Sequence, residues 1–229
     1  MAGFLKKLFI GPGLADDKNP DLAINAQKKY MNRIWNDNTY GVERILRFFL
    51  FLVQFVFPTM YIRSLFRGLG KNSVKIMVEF FNILKLAFPL LLLFLNWHQS
   101  QILIYINIYL MLETVFNILI IIFLSDIYTG DLSFQRSIIL LIMNYLQITM
   151  GFAVIYIGFD LLTPALTPIS AIYASFVTTT TLGFGDYLPK NSWGETVVIF
   201  QLVAFIMFVL LFINYFSQKQ TIQQNRGEK

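Results

Sequence analysis

The sequence predicts an all-α membrane protein, and three observations lead to this fold class. Hydrophobic residues make up 56% of the 229 residues and the mean hydropathy is +0.62, more apolar surface than one soluble core of this length can bury. Apolar runs of about 20 residues, the length that crosses a bilayer as a helix, recur along the chain. Lysines and arginines lie beside these runs, as charges facing anionic lipid do. The net charge of +5 therefore indicates a lipid bilayer as partner, and no nucleic acid.

Five apolar segments are candidate membrane helices. They are Ile45 to Ile62, Ile76 to Leu95, Gln101 to Leu124, Ser137 to about Phe159, and Trp193 to Phe216. The first is marginal, because it contains Arg47 and Gln54 and has Pro58 near its end. The last has no glycine or proline after Gly194, which predicts a stiff helix.

The stretch between the last two segments is neither a span nor an ordinary loop. Thr167 and Pro168 are helix-start signals in front of a short helix-compatible run, Ile169 to Val177. Four threonines and the sequence Leu-Gly-Phe-Gly-Asp follow. Non-helical backbone at membrane depth is tolerated only where protein buries it or where it lines a wet cavity. A half-helix followed by an extended strand that contains glycines fits that exception.

The segment Thr181–Gly185 has the residue types that a dehydrated potassium ion requires. Backbone carbonyls replace the water around such an ion when all of them point inward, whereas the carbonyls of an ordinary strand alternate. Left-handed dihedrals at alternate residues solve this, and Gly183 and Gly185 adopt positive φ without steric cost. The carbonyls would then stack as rings when four copies of the chain meet. The preceding half-helix would direct its negative C-terminal end toward the cavity and favour a cation there. The predicted K⁺ ligands are Thr181, with its hydroxyl, Leu182, Gly183 and Phe184.

These residues resemble the pore-loop potassium channels, whose filter reads Thr-Val/Ile/Leu-Gly-Tyr/Phe-Gly-Asp. The resemblance runs from about Ser137 to Phe216. It is close to the prokaryotic two-helix-pore type, because Pro189 and the Trp193-Gly194 pair fall at that family's spacings. Phe184 and the Gly-Asp-Tyr that follows it also look like the second pore loop of two-pore leak channels. The alternative is a glycine turn between two ordinary helices.

The resemblance implies a homotetrameric pore-loop channel with an outer helix, a pore half-helix, a filter and an inner helix. Two or three further membrane helices precede these elements, and the expected location is the cell membrane, as a multi-pass protein. Passive conduction of K⁺, the permeant ion, is implied through the candidate filter, Thr181-Leu182-Gly183-Phe184-Gly185, with no organic cofactor. Two alternatives stay open, a poorly selective cation channel and a non-conducting channel-like membrane sensor or scaffold. An enzyme is not expected, because His98 is the only histidine, cysteine is absent, and no carboxylate pair has catalytic or metal-ligand spacing.

Three residues next to the candidate filter are expected to support it, namely Thr180, Asp186 and Val177. Some relatives place a carboxylate behind the filter to hold its aspartate. Val177 stands at that position here, so Asp186 is expected to lack that partner.

The inner helix carries the candidate cavity and gate residues, which are Phe205, Ile206, Val209 and Ile213, with Asn214 near the cytoplasmic mouth. Phe205 occupies the position of the hinge glycine that many family members have. Rings of Val209 or Ile213 would close the pathway by dewetting. Contacts with lipid or with a neighbouring helix explain each of these residues equally well. No span carries a ladder of basic residues, so weak voltage dependence is expected.

The membrane topology follows from the family's orientation, in which the pore-flanking helices have their cytoplasmic ends away from the filter. Ser137 and Lys75 then lie inside and Gln99 lies outside. If Ile45 to Ile62 also crossed the membrane, the basic N-terminal segment would lie outside, against the positive-inside bias. Four spans, with that segment interfacial or re-entrant, are therefore favoured over five. The predicted organisation is a cytoplasmic segment 1–42, accessory membrane helices 43–124, a pore domain 125–217 and a short cytoplasmic tail 218–229.

Lys85 and Glu113 are charged residues inside candidate spans, and at about 1.5 Å per residue they fall at similar depth. Unpaired charges are costly in hydrocarbon, so an intramembrane ion pair is one prediction. The alternative is that Lys85 snorkels from an amphipathic stretch. Further toward the N-terminus, Asn19-Pro20-Asp21 reads as the start of a polar helix through about Trp35. That helix is either a docking site for a regulatory partner or a solvated tail.

Overall fold

The computed structural model of the chain describes residues 31–36, 41–67, 71–124 and 134–227. The longer helices in this part are α1 (Val42–Val53), α2 (Pro58–Arg67), α3 (Lys71–Phe94), α4 (Gln101–Phe123), α5 (Phe134–Gly158), α6 (Pro168–Thr179) and α7 (Ser192–Gly227). Two short strands, β1 (Leu162–Thr163) and β2 (Leu188–Pro189), pair antiparallel. The chain divides into two compact units, residues 1–83 with 119–130 and residues 84–118 with 131–229.

Four of these helices contain segments that are long and apolar enough to cross a membrane. The segments are Val74–Phe94, Gln101–Phe123, Gln135–Gly158 and Ser192–Ile213. They coincide with the last four candidate spans of the sequence to within a few residues at either end. Helix α7 continues to Gly227, well past Phe216, because hydropathy marks the part of a helix that suits lipid and not the end of the helix. The chain therefore has the composition of a multi-pass membrane protein.

The first candidate span, Ile45 to Ile62, is not one continuous helix. Helix α1 ends at Val53, a 3-10 turn covers Gln54–Val56, and Phe57 is extended before α2 begins. Pro58 accounts for this break, because proline favours the first position of a helix and pushes the residue before it into extended backbone. Neither α1 nor α2 is long enough to cross a membrane, which supports four spans over five.

The N-terminal segment falls almost wholly outside the described residues. Of the polar helix predicted to run from Asn19 to about Trp35, only 31–36 are described, and they are helical. The Arg44 guanidinium stacks over the Trp35 ring at 5.2 Å and donates a hydrogen bond to the Trp35 carbonyl at 3.0 Å. This contact joins residues 31–36 to α1.

The core of the second unit lies where α3, α4, α5 and α6 meet. Its fully buried members are Leu92, Leu93, Ile104, Ala153, Val154 and Ala171. Alanine at two of these positions, Ala153 and Ala171, lets helix backbones approach closely, as small residues do at helix interfaces in membranes. One polar contact lies beside this core, because the Asn107 side-chain amide on α4 donates to the Gly151 carbonyl on α5 at 3.0 Å. The core holds α6 against α5, and the candidate filter follows α6.

Candidate functional site

Helix α6 begins with a capping box. The Thr167 hydroxyl accepts a hydrogen bond from the Ser170 amide at 3.2 Å, and the Ser170 hydroxyl accepts one from the Thr167 amide at 2.6 Å. Pro168 occupies the first helical position, where its missing N–H costs nothing. These signals explain why a helix of only 12 residues, Pro168–Thr179, forms between two longer ones.

The candidate filter is attached to the C-terminal end of α6 by local hydrogen bonds. The Thr181 amide donates to the Thr178 carbonyl at 3.0 Å, and the Leu182 amide donates to the Val177 carbonyl at 3.1 Å. Thr180 contributes through its hydroxyl, which donates to the Phe176 carbonyl at 2.8 Å. Val177 therefore contacts the filter through its backbone carbonyl, which is a role that any residue type could supply.

Backbone dihedrals in the candidate filter alternate in sign. Thr181, Gly183 and Gly185 have φ of 58°, 56° and 78°, while Leu182 and Phe184 are absent from the positive-φ residues. The two glycine values agree with the sequence expectation. The Thr181 value was not anticipated, because a β-branched residue at positive φ is uncommon. A strand with this alternation turns successive carbonyls toward one side, as a row of oxygen ligands requires.

Asp186, directly after the candidate filter, has a partner on α6. Hydrogen bonding to the Asp186 carboxylate raises the pKa of the Tyr173 hydroxyl, and burial and the carboxylate charge raise it further. The Tyr173 ring also meets the Tyr187 ring edge-on, with centroids 6.1 Å apart. The carboxylate partner expected to be missing at Val177 is thus not the group that faces Asp186 here, because Tyr173 takes that place on α6. The sequence carries no signal for this role of Tyr173, because the family pattern has a carboxylate at the position of Val177, one helical turn further along.

The two ends of the loop that contains α6 and the candidate filter are fastened to each other. In the β1–β2 pair, Leu162 lies opposite Pro189 and Thr163 lies opposite Leu188. Lys190 extends the pairing, since its ammonium contacts the Asp160 carboxylate at 2.5 Å and its amide donates to the Leu161 carbonyl at 2.9 Å. The Lys190 charge therefore offsets the charge of the Asp160 carboxylate.

Gly194 explains the Trp-Gly pair of the sequence in physical terms. A Cβ atom at this position would lie 2.6 Å from the Leu161 carbonyl oxygen and 3.2 Å from Cβ of Pro189. Only glycine lets the first turn of α7 approach the β1–β2 pair this closely.

Helix α7 has one buried face and one exposed face within the second unit. Gln201, Ala204, Phe208 and Leu211, spaced three, four and three residues apart, are buried. The candidate gate residues Ile206, Val209 and Ile213 are exposed, whereas Phe205 is half-buried with its ring 6.4 Å from that of Tyr145 on α5. Asn214 belongs to α7, and its side chain lies outside the described residues. Phe205 therefore faces the outer helix more than the other three do.

Lys85 and Glu113 are brought together inside the second unit. The Lys85 ammonium lies 3.8 Å from the Glu113 carboxylate, with the two side chains 3% and 0% exposed. The ammonium also donates to the Thr114 hydroxyl at 3.1 Å. This depth of burial does not fit a lysine that snorkels to the surface. Thr114 could not be recognised beforehand, because one threonine in an apolar run carries no signal of its partner.

The comparisons with known proteins concern the C-terminal part of the chain. Residues 138–221 match the model of a family described as "Ion channel", which comprises two-helix pore-loop channels. The match begins in α5, ends in α7 and includes the whole candidate filter. No curated protein and no solved structure matches the chain. The family match supports an ion channel. It points to transport and not to catalysis, in a protein with four apolar helices.

Proposed function

We propose that this chain is the subunit of a homotetrameric potassium channel of the cell membrane that conducts K⁺ passively through Thr181–Gly185. The observation that carries the proposal is the alternation of positive φ at Thr181, Gly183 and Gly185, directly after the C-terminal end of α6. Left-handed residues at every second position aim the intervening carbonyl oxygens at one axis, where they replace the hydration shell of the ion. The negative end of the α6 dipole favours a cation at the same place.

The surfaces of a single chain support assembly around a shared axis. Leu182 and Phe184 are 61% and 66% exposed, although both are large and apolar. The exposed face of α7 is apolar as well and consists of Ile199, Phe200, Val203, Ile206, Val209, Leu210 and Ile213. One chain supplies only one strand of a filter, so four copies around the axis complete the carbonyl rings. In the proposed assembly, Ile206, Val209 and Ile213 would line the cavity and the gate.

The proposal is tested by measuring potassium flux from liposomes that contain the purified chain. The unmodified chain should release K⁺, and Gly183→Ala should abolish the release, because alanine at positive φ is strained and turns a carbonyl away. Thr163→Ala, at an exposed position on β1 outside the filter, is the matched control and should conduct normally. Absence of flux from the unmodified chain would favour a sensor or scaffold that retains a pore loop without conducting.

Selectivity is decided by a second measurement on the same preparation. Under opposed potassium and sodium gradients, the reversal potential should lie near that of potassium. The Tyr173–Asp186 hydrogen bond supports this outcome, because it restrains Asp186, which directly follows Gly185. A reversal potential midway between the two ions would identify a poorly selective cation channel.

A further inference from the structure

Gln201 is a fully buried amide in the middle of an apolar helix. It is 1% exposed, and it lies on the face of α7 that packs inside the second unit. Its Oε1 accepts a hydrogen bond from the Tyr156 hydroxyl on α5. Its Nε2 contacts three groups on α6, the carbonyl and the hydroxyl of Ser175, each at 2.9 Å, and the Thr179 hydroxyl at 2.5 Å. Both ends of the amide are therefore used.

The bonds of Gln201 belong to a larger buried network. The Ser175 hydroxyl lies 2.9 Å from Gln201 Nε2 and donates to the Thr149 carbonyl of α5 at 2.6 Å. The Thr179 hydroxyl donates to the Ser175 carbonyl at 2.8 Å. We call Tyr156, Ser175, Thr179 and Gln201 the polar clamp. All four side chains are at most 4% exposed.

A clamp of this kind fixes one arrangement of the helices that it joins. A buried polar group that loses its partner keeps the full cost of desolvation, so any displacement of α7 relative to α6 leaves several groups unsatisfied at once. Apolar contacts tolerate small shifts, whereas a fully satisfied network has a single geometry. The clamp therefore orders three helices more narrowly than the surrounding leucine, isoleucine and phenylalanine packing does.

The part of α6 that the clamp holds is the turn from which the candidate filter starts. Thr179 precedes Thr181 by two residues. The same turn supplies the carbonyls of Val177 and Thr178, which accept hydrogen bonds from the amides of Leu182 and Thr181. A displacement of this turn would move the innermost ligand oxygens of the filter.

We propose that Gln201 is a positioning residue for ion selection, because the polar clamp sets where the carbonyl oxygens of Thr181 and Leu182 stand. The inference rests on the proposed function, since it concerns the geometry of the same filter. Gln201 is too deeply buried to be an ion ligand itself. It acts through its hydrogen bonds to Ser175 and Thr179, which fix the end of α6 from which the filter starts.

The test is the potassium-to-sodium permeability ratio of reconstituted channels, measured from reversal potentials. This ratio does not depend on how many channels have folded, so a merely structural role of Gln201 would leave it unchanged. Gln201→Leu should lower the ratio by about tenfold, because Tyr156, Ser175 and Thr179 then lose a partner together. Tyr156→Phe, which removes one oxygen and keeps the ring, should lower it in the same direction by a smaller factor.

The matched control is Gln147→Leu on α5. Gln147 is also 1% exposed, and neither of its side-chain polar atoms has a hydrogen-bond partner among the described residues. Its replacement should leave the ratio within about twofold of the unmodified value, because no bond is lost. An equal fall in this control would overturn the inference.

The remaining outcomes separate the clamp from the proposed function. If the unmodified chain selects potassium and Gln201→Leu selects it equally well, the positioning role of Gln201 is refuted. The proposed function as a potassium channel is then unaffected. If Gln201→Leu does not assemble, the test rests on Tyr156→Phe. An unchanged potassium-to-sodium permeability ratio in Tyr156→Phe would then overturn the inference. If the unmodified chain does not select potassium, the proposed function fails, and the role of Gln201 fails with it.

Discussion

Thr181 sits at the junction between regular and irregular backbone and shows how local bonds hold an unusual conformation. Its φ of 58° is one that a β-branched side chain rarely adopts. Its amide is bonded to Thr178, and its hydroxyl donates to the Thr180 carbonyl at 2.7 Å. Such conformations persist where the surroundings over-determine them, and they cluster at functional sites. The first residue of the candidate filter is thus fixed by two hydrogen bonds.

Tyr173 leads to a prediction about alkaline pH. Its pKa is raised by the hydrogen bond to Asp186, so the stabilisation from this bond is complete below the ordinary tyrosine pKa. This stabilisation is lost as the pH rises through the raised pKa of Tyr173, because the Tyr173 phenolate then faces the negative Asp186 carboxylate. Potassium flux should hold up to a pH of about 10 and fall above it. Tyr173→Phe should lower flux at neutral pH and remove the alkaline fall.

The control for that experiment is Tyr187→Phe, which keeps an aromatic ring against Tyr173 and leaves the bond to Asp186 intact. Its flux should show the same alkaline fall as the unmodified chain. An alkaline fall that survives in Tyr173→Phe would show that another group causes it.

The pairing of Lys85 with Glu113 predicts strong coupling between two substitutions. Removing one partner from a buried ion pair typically costs about 3–5 kcal/mol, because the other charge stays buried without compensation. Lys85→Met and Glu113→Gln should therefore each lower the thermal unfolding temperature in detergent. The double variant should recover most of the loss, because neither charge remains. Two harmless single variants would contradict the pairing.

Among the elements, the first turn of α7 depends on a close approach that only glycine permits. Gly194→Ala places a methyl group against the Leu161 carbonyl, and forcing extra atoms into a packed contact costs about 1–3 kcal/mol. The variant should unfold at a lower temperature, because α7 must move away from the β1–β2 pair. Glu195→Ala, the exposed next residue, should unfold at nearly the unmodified temperature. Equal stability of the two variants would contradict the role of Gly194.

Elements were easier to foresee from the sequence than contacts between them. Four long apolar runs and the Thr167-Pro168 start signal define helices whatever surrounds them, so α3 to α7 could be predicted. Positive φ at Gly183 and Gly185 follows from the motif for the same reason. The bonds of Gln201 could not be foreseen, because its partners Tyr156 and Thr179 lie 45 and 22 residues away. Pro58 already marked Ile45 to Ile62 as a marginal span in the sequence, and the break between α1 and α2 lies directly before this proline.

At the scale of the whole molecule, assembly from four chains predicts how mixed populations behave. One Gly183→Ala subunit should disable a shared filter, because each ring of carbonyls needs all four chains. In an equal mixture with unmodified subunits, about one sixteenth of the channels should then conduct, if subunits combine at random. The measurement is potassium flux at a fixed total amount of protein. Half of the original flux would indicate that each chain conducts alone.

The topology prediction benefits from the absence of cysteine in the chain. A single introduced cysteine is then the only target of a thiol reagent. In sealed, oriented vesicles, an impermeant maleimide added outside should label Asn191→Cys. It should label Met31→Cys only after permeabilisation, because the predicted topology puts the N-terminal segment on the inner side. External labelling of Met31→Cys would indicate an even number of crossings between the two positions, whereas the predicted topology has three.

The pairing of β1 with β2 has a consequence for protein engineering. Antiparallel partners stand about 4.5–5.5 Å apart between Cα atoms, so the stretch from Pro164 to Tyr187 leaves and rejoins the scaffold at nearly the same point. Such a stretch behaves as an exchangeable cassette. A loop of different ionic preference, grafted between Thr163 and Leu188, would meet the surrounding helices without any change in their spacing.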